Sequence, residues 1–88
     1  KKVLLIDCDF NLGNCGFALG LKSYKTILDH VKGEKIEACI TELPLFDFLG
    51  SESGDLEILN GKYNLTENVL KVIFKLQKSY EYIFLDLI

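Results

Sequence analysis

The sequence predicts an α/β domain with a parallel sheet, and three observations predict it. Val3, Leu4, Leu5 and Ile6 form an unbroken apolar run that stops at Asp7. Such a run reads as a strand buried on both faces. Tyr82, Ile83, Phe84 and Leu85 repeat the pattern and stop at Asp86. Between them, Leu65, Val69, Val72, Ile73, Leu76 and Tyr80 recur at helical spacing. The order strand, helices, strand, helix, strand implies right-handed crossovers, and a parallel sheet with helices on both faces in a three-layer arrangement.

The elements follow in order. Residues 2–7 are the first strand. Asn11 to Gly16, NLGNCG, is a loop of residues that tolerate unusual backbone angles. Phe17 to Leu21 reads as one helical turn that Gly20 terminates. Tyr24 to Val31 reads as a helix with Ser23 as N-cap and Gly33 as C-terminal stop. Ile36, Cys39 and Ile40 suggest a short helix ended by Thr41 to Pro44, and Leu45 to Leu49 the second strand. Residues 50–54 are then a loop on the same sheet edge as Asp7. Asp55 to Leu59 reads as a helical turn closed by Asn60-Gly61. Asn64, with Glu67 after it, opens the long helix through about Ser79 in a manner close to a capping box. Tyr82 to Leu87 is the third strand.

Composition excludes several classes of function. The 88 residues allow one domain at most, and the chain is expected to be an internal piece of a larger one. A net charge of −3 with no basic cluster argues against a nucleic-acid surface. Cys8, Cys15 and Cys39 are an odd number without a CxxC pair, which speaks against a zinc site or a disulfide framework and fits a reducing cytoplasm. The longest apolar runs fall short of the ~20 residues that span a bilayer. His30 reads as a helix-end surface residue, Cys8 as core, and Lys71, Lys75 and Lys78 as a solvated face.

The carboxylates carry the functional reading. In open α/β sheets the ligand crevice lies beyond the carboxyl ends of the strands, where this pattern puts Asp7, Asp9 and Asp86. Mg²⁺ takes oxygen ligands and is commonly held by one or two carboxylates together with a nucleotide's phosphates. Asp7 and Asp86 suit that task, and Asp9 suits the orientation of an attacking water. The bland alternative is that each strand-terminal Asp caps the turn that follows it.

The stretch DCDFNLGN, followed by FALGL, resembles the MinD/ParA group of deviant Walker-type ATPases, and most closely its MinD and FlhG branch. TILDHVKGEKIEACI and LFDFLGSESGDLEIL resemble the branch's next helices and strand, and YEYIFLD resembles a Walker B strand. The similarity implies a P-loop NTPase-like fold and an ATP- and Mg²⁺-dependent switch between monomer and homodimer that positions a flagellum or division site. Contact with the membrane would come only through regions outside these residues. It further implies that Asp7 and Asp86 lie at Mg²⁺, that Gly13 and Asn14 belong to a nucleotide-contacting loop, and that Asp9 positions the hydrolytic water. The glycine-rich, lysine-containing phosphate loop is absent from these residues, so this piece alone is not expected to hydrolyse ATP. Asn11 stands where glycine is usual, and Leu87-Ile88 where a small or hydroxyl residue is usual.

Three other readings remain open. A receiver-like signalling domain would use Asp86 as phospho-acceptor. A haloacid-dehalogenase-like phosphatase would use Asp7 as nucleophile, although Phe10-Asn11 replaces the residues that normally follow. A non-catalytic interaction module would keep the fold alone.

Overall fold

A computed structural model describes residues 2–9, 15–51 and 64–87. Strand β1 (Val3–Asp7) is the hub. It pairs in parallel with β3 (Asp47–Leu49) on one side and with β4 (Tyr82–Asp86) on the other. The three expected strands are therefore parallel, but β4 is an edge strand whose Tyr82, Phe84 and Leu85 are exposed, not buried on both faces as its apolar run implied. The fourth strand was not expected: β2 (Thr41–Glu42) pairs antiparallel with β3 at the sheet edge, giving the order β2-β3-β1-β4. This corrects the all-parallel sheet. Thr41 to Pro44 do end a helix, but Pro44 and Leu45 also form a tight turn in which the Leu43 amide donates to the Phe46 carbonyl at 3.0 Å. Proline's fixed φ suits that turn, and the short arm it creates has only one strand to pair with.

The helices form where caps allow. The single-turn α1 (Cys15–Ala18) ends near Gly20, whose φ of +85° supplies the left-handed residue at its exit. Helix α2 (Ile27–Val31) starts later than the expected Tyr24, and its N-cap is Thr26 rather than Ser23. The Thr26 hydroxyl accepts from the Leu28 amide at 3.2 Å, and the Asp29 carboxylate accepts from the Thr26 amide at 2.8 Å. Thr26 also forms a parallel bridge with Gly50, which keeps the backbone extended up to the cap. At the other end the Gly33 amide donates to His30 O and the Glu34 amide to Asp29 O, both at 3.0 Å. With Gly33 at φ +124° this pair of bonds closes the last turn as a Schellman motif.

Helix α3 covers Ile36–Cys39, and α4 covers Leu65–Leu76. Asn64 caps α4 as expected, accepting from the Glu67 amide at 3.0 Å, while the expected extension through Ser79 is a turn.

One core joins these elements. Leu4, Ile6 and Leu49 of the sheet pack with Ile27 of α2, Ile36 and Cys39 of α3, and Leu65, Val69, Val72 and Leu76 of α4. Because side chains alternate along a strand, these sheet residues share one face, and α2, α3 and α4 all cover it. The opposite face carries Phe48, which is fully buried, and the exposed Tyr82 and Phe84. Tyr24 covers Phe48 edge-on with ring centroids 5.7 Å apart, and touches Phe17 of α1 in the same way at 6.1 Å. A Cβ at Gly16 or Gly50 would overlap the Tyr24 ring, so both glycines hold its slot open. The three-layer expectation is not met among the described residues: α2, α3 and α4 all lie on one face, and on the other only Tyr24 and the single-turn α1 lie near Phe48, leaving Tyr82 and Phe84 exposed. No helix among the described residues is long and apolar enough to cross a membrane.

Candidate functional site

The parallel register places Asp7 directly beside Asp86 at the carboxyl ends of β1 and β4. Their juxtaposition follows from two apolar runs of equal length entering the sheet in the same direction. The ladder continues one residue further, where the Cys8 amide donates to the Asp86 carbonyl at 3.0 Å.

The two carboxylates differ in environment. Asp7 is buried, whereas Asp86 is exposed. Asp7 Oδ1 accepts from the Asp9 amide at 3.0 Å, and its Oδ2 accepts from the Cys15 amide at 3.4 Å. Burial pushes the Asp7 carboxyl above its usual value, and the neighbouring charge of Asp86 pushes the same way. The two amides and the Ser51 hydroxyl oppose them. The turn-capping role weighed for a strand-terminal Asp is thus present at Asp7, at the carboxyl edge of the sheet.

Asp9 is half-buried, and its backbone is held on both sides. Its amide donates to Asp7, and its carbonyl accepts from Ser51 Oγ at 3.2 Å. Gly13 and Asn14, the expected nucleotide-contacting residues, lie outside the described residues, as do Asn11, the helical turn expected over 55–59 and the Asn60-Gly61 turn.

Two residues join the site that sequence reasoning gave no role there. Ser51, 1% exposed, follows Gly50 at the end of β3 and reaches both members of the Asp-x-Asp turn. Its place on the carboxyl edge was legible from the strand before it; its bond to a carbonyl far away in sequence was not. Cys15 donates its amide to Asp7 and its thiol to Asp86. That thiol is pushed upward, first by burial and then by both aspartates, so it is held protonated rather than activated. Cys8 is pushed upward for the same reasons and packs against the core.

Two neighbouring carboxylates are a donor set suited to a hard cation, which favours oxygen and brings its own waters. Among the described residues no group of three or more His, Cys, Asp or Glu side chains is arranged to hold a metal ion. For a nucleotide's phosphates the fit is poorer, since the sequence contains no glycine-rich loop with GKS or GKT. An apolar recess of about 170 Å³ lies next to the site, lined by Cys8, Val69, Leu70, Ile73, Leu85 and Leu87 among others. Its lining suits a hydrocarbon surface and not a phosphate. In comparisons with known proteins, the sequence matches no protein-family model and no curated protein.

Proposed function

We propose that the chain is the carboxylate-bearing part of a MinD/ParA-like nucleotide switch, an ATPase whose bound state favours a homodimer and positions a cellular structure such as a flagellum or division site in the cytoplasm. The observation that carries the reading is the register that sets Asp7 beside Asp86 at the carboxyl ends of adjacent parallel strands. Beside them, Asp9 stands on a backbone fixed at both its amide and its carbonyl.

In this reading Asp86, exposed at the strand end, and Asp7, buried next to it, hold Mg²⁺, which supplies charge neutralisation for the phosphates when bound. With only these two carboxylates to offer, the protein would leave part of such an ion's coordination to solvent and to the nucleotide. A cation there also relieves the mutual repulsion that raises the Asp7 carboxyl. Asp9 orients the attacking water. Catalysis of this kind rests on positioning and charge stabilisation. The phosphate cradle must come from outside the 88 residues.

The test uses the intact protein. Asp86→Asn is expected to weaken Mg·ATP binding, and Asp9→Ala to keep binding while hydrolysis is lost. Equal turnover by Asp9→Ala and wild type removes the role given to Asp9. Stoichiometric phosphorylation of Asp86 by acetyl phosphate, with no Mg·ATP binding, makes the domain receiver-like instead.

A further inference from the structure

An Asp-x-Asp turn fixes the backbone of its first residue in the strand, but leaves the direction of its second side chain to whatever holds the turn. Here the holder comes from another strand. Ser51 is 1% exposed, and its hydroxyl donates to the Asp9 carbonyl at 3.2 Å. The same hydroxyl interacts with the Asp7 carboxylate.

Ser51 is itself held firmly. The preceding Gly50 accepts from the Ile27 amide at 2.9 Å, bridges Thr26, and lies against the Tyr24 ring too closely for any side chain at that position. The end of β3, the start of α2 and the Asp7–Asp9 turn are thus one connected unit.

We infer that Ser51 is a positioning residue for Asp9, clamping its carbonyl while Asp7 clamps its amide, so that the backbone from which the Asp9 carboxylate extends is held in place. This deepens the ATPase reading above and rests on it. A serine hydroxyl has one proton to donate, and here the Asp9 carbonyl accepts it.

The experiment compares wild type with Ser51→Ala and Ser51→Cys in the intact protein, measuring kcat and KM for Mg·ATP together with thermal melting. Cysteine nearly keeps the volume of serine and is a weaker donor, so it reports on the hydrogen bond even where alanine perturbs folding. Loss of a partner that orients a site residue typically costs roughly 10- to 100-fold. The expected result is a fall of that size in kcat for Ser51→Ala and a smaller fall for Ser51→Cys. KM is expected to change by less than about 3-fold, since ground-state binding does not use Asp9. Unchanged kcat in a folded Ser51→Ala or Ser51→Cys protein overturns the role of Ser51 and leaves the ATPase reading standing. Wild-type protein that neither binds nor hydrolyses Mg·ATP overturns that reading and the role of Ser51 with it.

Discussion

At the scale of single residues, the site is built from groups placed against their own electrostatic preference. Asp7 is buried next to Asp86, and its carboxyl lies above the ordinary 3.8 because of burial first and that neighbouring charge second. A carboxyl raised in the folded state binds its proton more tightly folded than unfolded. Its unfavourable contribution is therefore absent below about pH 3.8, grows as pH rises through the folded value, and is complete above it. Replacing Asp86 by Asn removes the like charge and leaves the backbone pairing intact. Metal-free protein carrying Asp86→Asn is accordingly expected to melt higher than wild type at pH 7, with the gap closing toward pH 3.8. Melting curves in EDTA across that range check this, and coincident curves at pH 7 refute it.

At the scale of elements, the short helices depend on their ends. A five-residue helix such as α2 has little intrinsic stability. Its first turn is closed by the reciprocal Thr26–Asp29 pair, and its last by the Gly33 motif. Thr26→Ala removes the buried cap and is expected to cost about 1–2 kcal/mol, or roughly 4–15 °C in melting temperature for a domain of this size. Asn64→Ala, at the exposed cap of the longer α4, is expected to cost less. Differential scanning calorimetry of the two variants decides the order, and a larger loss at Asn64 would contradict it. The caps also show where sequence reading works. Asn64 and Glu67 announce themselves locally, whereas Ser23 and Thr26 are both acceptable hydroxyl caps. The choice between them falls to a bridge from Thr26 to Gly50, which local sequence does not reveal.

At the scale of the whole molecule, burial is uneven across the sheet. One face is covered by α2, α3 and α4, and the other leaves Tyr82 at 54% and Phe84 at 56% exposed, their rings stacked 6.3 Å apart. Phe74 on α4 is 76% exposed, whereas Phe48 is fully buried beneath Tyr24. Two phenylalanines of the same chain should thus behave oppositely. Phe48→Ala is expected to cost about 3–5 kcal/mol, a large share of the roughly 4–13 kcal/mol available to a domain of this length. Phe74→Lys is expected to change stability by no more than about 0.5 kcal/mol and to improve solubility, because an exposed aromatic is removed. Urea titration of both variants is the check. A Phe74→Lys loss comparable to that of Phe48→Ala would show that α4 packs on something through that side.

The sequence by itself determined the three parallel strands, their common direction, the buried stripe of α4 and the edge to which Asp7, Asp9 and Asp86 belong. Each is written in local periodicity, which a continuous apolar run or a 3.6-residue repeat displays without reference to the rest of the chain. Only the tertiary structure decided that β2 turns back antiparallel, that Thr26 rather than Ser23 caps α2, and that Ser51 and Cys15 complete the carboxylate cluster. Those outcomes depend on contacts between residues distant in sequence. Such contacts exist only after β1 has taken β3 on one side and β4 on the other.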